Sequence, residues 1–295
     1  SLKELLGQSL SQIYKTTYSK KSFNNKYGVP LSLFNLDKKD KFGVFEIGMD
    51  KKGEINNLSK IINPDVGVIT NISYAHAKNF KNIKQIALAK AEIINNIKSG
   101  GSLVLNADDQ FYNFHKKKAL KKKLRIYSFS IKKKNSSIKL HSIFKQKNKY
   151  KVIVQIENKK TYFYTSSNFK NNIKNLLAAL SVIGIFKKID KLDKNIFYNF
   201  QIPKGRGDIS RVRINKKNIY LIDESYNSNP LSLNSAIKNF DMINVKNSKK
   251  HLILGDMLEL GSHSKKLHSE FIKTSVTISS TVYSVALVVI GGGIV

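Results

Sequence analysis

Apolar residues in the first part of the chain recur with two different spacings. Near the start they follow the three- and four-residue spacing of one helix face, which predicts a helix over residues 2–14. Three short apolar runs, at 42–48, 65–71 and 100–106, are bounded by glycine or polar residues, as buried strands of parallel sheets are. A second helix is predicted at about 82–98. Because strands and helices alternate, we expect an α/β domain with a mostly parallel central sheet.

The spacing changes after residue 125. Residues 138–140, 150–156 and 161–165 alternate between apolar and polar side chains, with turns rich in Lys, Asn and Ser between them. This period of two predicts an antiparallel patch beside the parallel sheet. A helix rich in Ala and Leu is predicted at about 171–186, near the end of a first domain that we expect to span 1–200.

A second α/β unit is predicted beyond residues 203–207, which have the composition of a linker. We expect a partial, Rossmann-like C-terminal domain at 201–295, with a strand at 219–222, a helix near 230–242 and a strand at 251–254. Residues 274–295 contain no charged residue, although 24% of the chain is charged. This tail is atypical, and it is expected to be either a buried strand or an end that does not belong to the domain.

Composition excludes several classes of protein. The 295 residues contain no cysteine, which excludes a disulfide scaffold, a Cys-ligated zinc site, an iron–sulfur cluster and a thiol nucleophile. The start lacks the pattern of a signal peptide, and no run reaches the roughly 18 apolar residues of a membrane span. We therefore expect a cytoplasmic protein without membrane insertion.

The formal net charge of +32 has nucleic-acid binding as its first interpretation. However, the basic residues are 48 Lys and only 4 Arg, beside 30 Asn. Lys, Asn and Ile have A/T-rich codons, and Arg is the better residue for bidentate recognition of phosphates and bases. A biased genome is therefore the favoured explanation, and no nucleic-acid partner is expected. A basic nucleic-acid-binding protein stays the alternative, and salt-dependent DNA binding without nucleotide binding would favour it.

Candidate chemistry lies where the predicted strands end, because ligands of parallel sheets bind beyond the carboxyl ends of the strands. Glu46 ends the first apolar run and His76 follows the second, so the two could share a divalent cation, although a lone histidine is more often structural. Lys90 lies among small apolar residues on the next helix, where the alternative is a surface lysine that extends to solvent. Asn106 to Asp109 follow the third run.

The polar segment Asp223 to Pro230 follows a predicted strand and precedes a helix. Polar side chains and helix N-terminal amides there could hold a nucleotide, and the alternative is a turn with a helix cap. The segment Gly255 to Gly261 also follows a predicted strand. It begins with a glycine, which suits a position where the backbone comes close to a neighbouring group.

Taken together, the order and composition of these segments resemble the Mur ligase family, over residues 1 to about 273. The presence of both the 223–230 and the 255–261 segments in one sequence is most specific to the family member that adds D-alanyl-D-alanine. A sister Mur ligase or a folylpolyglutamate-synthase-like ligase shares the plan with differently composed segments and remains an alternative. The matching segments are Asn24 to Pro30, Glu46 to Gly48, Asn71 to His76, Ala89 to Ile93, Asn106 to Asp109, Asn172 to Ala179, Gly205 to Gly207, Asp223 to Pro230 and Gly255 to Gly261.

The resemblance implies an ATP- and magnesium-dependent ligase of peptidoglycan precursor synthesis. ATP would phosphorylate the terminal carboxylate of a UDP-N-acetylmuramoyl-tripeptide, and the amine of D-Ala-D-Ala would displace phosphate from the acyl phosphate. The implied partners are these two substrates, with neither nucleic acid nor membrane, and the implied enzyme is a cytoplasmic monomer.

The resemblance also implies roles for individual residues. Glu46 and His76 match magnesium positions, and Lys90 matches a lysine that is carbamylated and helps to hold a second magnesium; these three are the expected catalytic residues. Asn24 and Asn25 match a loop near the UDP-sugar substrate. The positions that match the nucleotide side are Asn172, Asn175, Arg206, Asp223, Tyr226, Asn227 and Asn229.

The chain departs from the family pattern at both ends. A phosphate-binding loop of the Gly-Lys-Thr type is missing, and Ser1 would be the residue that follows its threonine. The domain that binds the UDP moiety is also missing, and the match fades after Lys273. Lys170 stands where the family has arginine. We therefore expect the interior of a longer enzyme, inactive in isolation because no loop cradles the β- and γ-phosphates.

Overall fold

The computed structural model describes residues 1–74, 77–133, 135–166, 169, 172–214, 217–226, 228–241, 243, 250–258, 260–275 and 286–290. The chain forms two compact units. The first comprises Ser1–Ile72 and Lys84–Gln201, and the second comprises Ser73–Ile83 and Ile202–Val295. Segment 73–83 therefore groups with the second unit, which the hydrophobic pattern did not indicate.

Helices and strands up to residue 201 follow the predicted alternation. The helices are α1 (Leu2–Ser11), α2 (Gly28–Leu33), α3 (Glu54–Ile62), α4 (Ile83–Lys90), α5 (Ile93–Asn96), α6 (Tyr112–Lys121) and α7 (Ile173–Phe186). The strands are β1 (Thr16–Tyr18), β2 (Phe42–Val44), β3 (Val66–Ile69), β4 (Ser102–Asn106), β5 (Arg125–Ser130), β6 (Ile138–Gln146), β7 (Lys149–Ile156) and β8 (Lys159–Ser166). None of the helices in the described part of the chain has the length and hydropathy of a membrane span.

Six of these strands form one sheet in the order β3-β4-β5-β6-β7-β8. The strands from β3 to β6 are parallel, with Val68 opposite Val104 and Val104 opposite Tyr127. The pairs β6–β7 and β7–β8 are antiparallel. The prediction of a mostly parallel α/β sheet with an antiparallel patch is therefore confirmed.

The core of the first unit lies between the parallel part of this sheet and α7. All five residues of β4 are buried, which is why this strand reads as a continuous apolar run. Helix α7 packs on β4, β5 and β6 and also contacts α1. Its residues from Leu176 to Leu180 are completely buried.

The prediction of a buried strand of the central sheet over 42–48 is wrong in extent, in burial and in the sheet to which the strand belongs. Only β2 is a strand, and it pairs in parallel with β1 in a separate two-stranded sheet. Residues 45–48 form a loop instead, because Gly48 donates its backbone N–H to the carbonyl of Asn24 rather than to a strand (2.8 Å). This loop carries Glu46.

The helix predicted at about 82–98 is two helices, α4 and α5, interrupted at Ala91 and Glu92. The chain there contains neither glycine nor proline, so its own propensity does not cause the break. Similarly, the first helix ends at Ser11 rather than near residue 14. The lysine-rich run at 116–123 lies on and just after α6 and is mostly exposed, as a solvated helix face is.

The second unit contains a four-stranded sheet in the order β11-β12-β10-β9. Strand β12 lies in the uncharged tail and pairs in parallel with both neighbours, so the tail contributes a strand. Residues 276–285 and 291–295 lie outside the described residues. The β9–β10 pair is an antiparallel hairpin that the hydrophobic pattern did not reveal. The elements are β9 (Asp208–Ile214), β10 (Lys217–Asp223), α8 (Pro230–Asp241), β11 (His251–Leu254), α9 (Ser264–Ser275) and β12 (Ala286–Ile290).

The packing of α7 predicts a large stability effect at Leu176. Replacing Leu176 with Ala removes a fully buried side chain and leaves a cavity against the sheet. We expect the free energy of unfolding to fall by about 3 kcal/mol. Urea unfolding of the chain, followed by circular dichroism, measures this change. Lys174→Ala, at an exposed position of the same helix, should change it by less than about 0.5 kcal/mol. Equal losses in the two variants would contradict the core described here.

Candidate active site

The loop after β2 brings Glu46 to Asn24. The side-chain nitrogen Nδ2 of Asn24 donates to Oε1 of Glu46 at 3.2 Å, and the backbone N–H of Glu46 donates to Oγ of Ser19 at 3.3 Å. A Cβ atom on Gly48 would lie 3.0 Å from Cγ of Asn24, so the close approach of the two loops favours glycine there. Two of the residues predicted to bind magnesium and substrate are therefore in direct contact.

Asn25, predicted beside Asn24 as a substrate residue, has a local role. Its Oδ1 accepts the backbone N–H groups of Tyr27 (3.1 Å) and Gly28 (2.9 Å), which lead into α2. The side chain thus satisfies amide groups at the start of a helix, as asparagine commonly does. Asn25 is exposed, whereas Asn24 is half-buried.

Lys3 anchors the loop that supports Glu46, although nothing in the hydrophobic pattern singles it out. Its side chain is only 5% exposed. The ammonium donates to the carbonyl oxygens of Ser19 (2.6 Å) and Lys21 (2.9 Å) and contacts Glu4. A buried lysine needs such partners, because an unpaired charge in the interior is costly. Only the fold shows that these carbonyl groups converge on Lys3.

Lys90 is the last residue of α4, and its side chain is partly buried. Burial lowers the pKa of Lys90 from its ordinary value, and the carboxylates of Glu46 and Asp109 act in the opposite direction. The amine is therefore desolvated within electrostatic range of two carboxylates, and desolvation has the larger effect. This arrangement favours the neutral, nucleophilic form of the amine more than an exposed position would.

Asp109 links the ends of two neighbouring strands. Its Oδ2 accepts the N–H of Ile72, which follows β3, and its Oδ1 accepts the N–H of Phe111, which precedes α6 (both 2.8 Å). His115 on α6 is buried, and its Nε2 contacts the carbonyl oxygen of Ala87 on α4 at 3.0 Å. Burial also lowers the pKa of His115, which favours the neutral form of this imidazole. These contacts hold α4 and the edge of the sheet around Lys90.

Part of the predicted metal site lies outside the described residues, because His76 is among the residues that are not described. Within the described ranges, no group of three or more His, Asp or Glu side chains is arranged to hold a metal ion. Those ranges contain Glu46 and Lys90, which interact electrostatically. His76 stays a prediction from the sequence.

Asn172 and Asn175, predicted on the adenine side of the nucleotide, contact each other at the start of α7. Asn172 directly precedes the helix, and Nδ2 of Asn175 donates to Oδ1 of Asn172 at 3.1 Å. Both side chains are partly exposed, so their remaining polar groups can reach a ligand. Lys170 lies outside the described residues.

In the second unit, Arg206 and Tyr226 come together although they are distant in sequence. The guanidinium carbon of Arg206 lies 4.1 Å from the centre of the Tyr226 ring, a cation–π contact. Their loops are joined by two backbone hydrogen bonds, from Gly207 N–H to Asp223 O (2.7 Å) and from Tyr226 N–H to Gly205 O (3.1 Å). Gly205 and Gly207 have φ angles of +74° and +87°, which favour glycine. Asn227 lies outside the described residues.

Glu224 lies within this cluster, and sequence reasoning missed its importance. Burial raises the pKa of Glu224 to about 7, and the carboxylates of Asp208 and Asp223 add to the effect while Arg206 opposes it. A Cβ atom on Gly207 would lie 2.8 Å from Oε1 of Glu224, so the carboxyl group packs directly on that glycine. An acidic residue within the predicted nucleotide segment at 223–230 is a signal that the sequence contained, but burial gives this residue its unusual pKa.

Asn229 is the N-cap of α8. Its Oδ1 accepts the N–H groups of Leu231 and Ser232 (both 3.1 Å), and Oγ of Ser232 accepts the N–H of Asn229 (3.0 Å). Such a reciprocal pair satisfies helix-end donors as a capping box does. The helix-cap interpretation therefore accounts for the Asn229 side chain.

The segment from Gly255 onward is anchored by burial and by a histidine. Met257 and Leu260 are 3% and 2% exposed. The N–H of Met257 donates to Nε2 of His268 on α9 at 3.2 Å, and Nδ1 of His268 contacts the carbonyl of Ser264 at 2.9 Å. These contacts fix the position of the segment within the second unit.

The chain is similar to known proteins over nearly its whole length. The family profile of the Mur ligase middle domain matches residues 1–183. A UDP-N-acetylmuramoyl-tripeptide–D-alanyl-D-alanine ligase from Rickettsia prowazekii is 31% identical over 284 residues, which are 92% of this chain and 59% of that protein. The chain thus spans about three fifths of that curated relative's length.

Two solved structures share the fold. MurF from Acinetobacter baumannii superposes with a TM-score of 0.80 at 24% identity, covering 99% of this chain and 70% of that one. MurF ligase from Thermotoga maritima in complex with ADP also superposes with a TM-score of 0.80, at 21% identity, covering 98% and 73% of the two chains. These structures agree with this chain in fold, and the profile match across more than half of its residues identifies the chain as a member of the Mur ligase family.

Proposed function

We propose that this chain takes part in the ATP-dependent joining of D-Ala-D-Ala to a UDP-N-acetylmuramoyl-tripeptide. The observation that supports this most is the 31% identity, over 92% of the chain, to a relative named for that reaction. The ADP complex of a structural neighbour supports ATP as the nucleotide. Both proposed partners are small molecules, and we propose that the protein acts as a monomer in the cytoplasm.

The proposed reaction begins with activation of a carboxylate, which is a poor electrophile. ATP transfers its γ-phosphoryl group to the terminal carboxylate of the tripeptide, giving an acyl phosphate and ADP. The amine of D-Ala-D-Ala then attacks the acyl carbon, and the tetrahedral intermediate expels phosphate as the amide forms. The protein's main tasks are positioning and neutralisation of phosphate charge.

Glu46, His76 and Lys90 are proposed to hold magnesium, which prefers oxygen ligands and neutralises phosphate charge when bound. The carboxylate of Glu46 fits this preference, whereas an ammonium at Lys90 does not. Carbamylation would resolve the conflict: the neutral amine attacks carbon dioxide, an N–C bond forms, and the nitrogen releases a proton to solvent. The product is an anionic oxygen donor on a long stem. The lowered pKa of Lys90 supports this modification, because only the neutral amine reacts.

Two groups of residues are proposed to serve the nucleotide. Asn172 and Asn175 would serve the adenine, and Arg206, Asp223 and Tyr226 the rest of the nucleotide, with Asn227 and Asn229 in the same segment. The stacking of Arg206 on Tyr226 supports its role, because a guanidinium held in one orientation loses less entropy when it binds phosphate. Asn24 and Asn25 are proposed near the UDP-sugar substrate.

The role of Lys90 predicts the effect of removing its amine. In a ligase of full family length that contains this chain, Lys90→Ala should lower turnover by at least about a hundredfold, because the oxygen donor is lost. The assay measures phosphate release that depends on both UDP-N-acetylmuramoyl-tripeptide and D-Ala-D-Ala. Lys84→Ala, at an exposed position of the same helix, is the control and should retain activity. Full activity of Lys90→Ala with an intact fold would refute the assignment.

The role of Arg206 predicts a binding defect. In the same full-length ligase, Arg206→Ala should weaken ATP binding by roughly tenfold, or about 1.4 kcal/mol, since a charge-assisted contact to phosphate is lost. Isothermal titration with a non-hydrolysable ATP analogue measures the affinity. The matched control is Arg211→Ala, an exposed arginine on β9. Equal affinities of the two variants would remove Arg206 from the nucleotide side.

The buried carboxyl group of Glu224 predicts a pH-dependent stability. Folding raises its pKa from 4.5 to about 7, so between these values the folded form keeps a proton that the unfolded form has lost. Stability should therefore fall as the pH rises from 5 to 8. Glu224→Gln should match the native chain near pH 5 and exceed it at pH 8 by up to about 3 kcal/mol. Urea unfolding at both pH values tests this, with Asp241→Asn as the exposed control; a difference independent of pH would contradict it.

A further inference from the structure

The interruption between α4 and α5 lies immediately after Lys90. At this point the backbone hydrogen bonds shorten from i→i−4 to i→i−3: Glu92 N–H donates to Ala89 O, and Ile94 N–H donates to Ala91 O (both 3.1 Å). The residues at the break, Ala89 to Glu92, are good helix formers, so an uninterrupted helix would be expected through them. A contact outside the helix must therefore favour the broken form.

Glu92 provides that contact, because its carboxylate spans to the start of α3. Oε1 accepts the backbone N–H of Gly53 at 2.8 Å, and Oε2 accepts the N–H of Asn56 at 3.1 Å. Gly53 is the N-cap residue and has no side chain with which to satisfy these donors. A carboxylate is favourable here on two grounds, since it accepts the free amides and lies at the positive end of the helix.

Asn96 adds a second attachment between α5 and α3. Its Nδ2 donates to the carbonyl oxygen of Asn56 at 3.0 Å and to Oγ of Ser59 at 2.9 Å. On the other side, α4 is held by His115 through the carbonyl of Ala87 (3.0 Å). The helical segment that carries Lys90 is thus fixed from both directions.

The hydrogen bonds of Glu92 to the start of α3 also reach the loop that carries Glu46. Gly53 lies on the same loop as Glu46, and at its near end Asn24 holds the Glu46 carboxylate at 3.2 Å. The Lys90 amine and the Glu46 carboxylate, which interact electrostatically, therefore belong to segments that Glu92 connects through hydrogen bonds to Gly53 and Asn56. A shift of α3 relative to α4 would change the separation of these two groups.

We propose that Glu92 is a positioning residue that fixes the amine of Lys90 against the carboxylate of Glu46. This role rests on the proposed function, in which both groups bind the same metal. Glu92 itself touches neither substrate nor metal in this proposal. It acts through the backbone amides of Gly53 and Asn56 and through the turn that separates it from Lys90.

The test measures the carbamate on Lys90 directly, in the 295-residue chain. The chain is placed in ¹³C-bicarbonate with magnesium, and the carbamate carbon is observed by ¹³C NMR and assigned by its loss in Lys90→Ala. Glu92→Ala removes both hydrogen bonds, and Glu92→Gln keeps the length but turns a donor toward one of the two amides. We expect the carbamate signal per folded molecule to fall by roughly tenfold in both variants. Glu92→Gln keeps the test valid where Glu92→Ala does not fold.

Two controls separate positioning from stability. Leu176→Ala lowers stability without touching the link between α3 and α4, and Asn95→Ala alters an exposed position of α5. Both should retain the carbamate signal. In a full-length ligase, the Glu92 variants should lower kcat by a similar factor and leave KM for ATP unchanged.

The outcomes that overturn the proposal are distinct. The proposal is overturned if a folded Glu92 variant keeps the native carbamate signal, or if Leu176→Ala loses as much of that signal. Either result would show that Glu92 only caps α3. A native chain that gives the same spectrum as Lys90→Ala would overturn the carbamylation of Lys90 first, and the role of Glu92 with it.

Discussion

Asp109 accepts one backbone N–H from each of two neighbouring connections, and the candidate site of the first unit is arranged around it. Strands β3 and β4 are parallel, so the chain leaves both at the same edge of the sheet. Backbone groups there have no ladder partner, and a buried amide without a partner is costly. A single carboxylate satisfies two of them, fixes the two connections to each other, and acts electrostatically on the amine of Lys90. The other contacts of the site lie around this edge of the sheet, which Asp109 holds in place.

Lys90 experiences two opposing effects. The carboxylates of Glu46 and Asp109 stabilise its charged form, and the loss of water destabilises that form. Desolvation is the larger effect, and the pKa is lowered. A lysine surrounded by acids would ordinarily be a firm ion pair, so the partial burial of α4 is what gives this one its distinct chemistry. Helix packing by His115 and the link through Glu92 maintain that burial and orientation.

The second unit builds its cluster from backbone geometry. In the β9–β10 hairpin, Asp208 lies opposite Asp223, so the residues just outside the hairpin's open end are brought together. Gly205 and Gly207 adopt left-handed conformations there, which allows Arg206 to stack on Tyr226 and Glu224 to pack on a glycine without a Cβ atom. Burial then raises the pKa of Glu224, and the nearby carboxylates of Asp208 and Asp223 add to the effect. The register of the β9–β10 pair and the conformations of Gly205 and Gly207 thus fix the positions of the charged side chains without a ligand.

The sequence by itself determined the fold class and most of the elements. Continuous apolar runs identified β3 and β4, alternation identified the antiparallel strands, and the matching segments identified the family. These features depend on the period of local side-chain burial, which is visible along the chain. The sequence also named Glu46, Lys90 and Arg206 as candidates, and the segment of Asp109 as polar residues at a strand end.

Only the tertiary structure decided which of these groups face each other. The separate pairing of β2 with β1, the break after Lys90, the burial of Lys3 and the raised pKa of Glu224 all arise from contacts between residues far apart in sequence. Local periodicity carries no information about such contacts, because a hydrogen bond between Glu92 and Gly53 leaves no trace in the spacing of apolar residues. Desolvation and electrostatic effects depend on distances in three dimensions, so the chemistry of these side chains was set by the fold rather than by their neighbours in the chain.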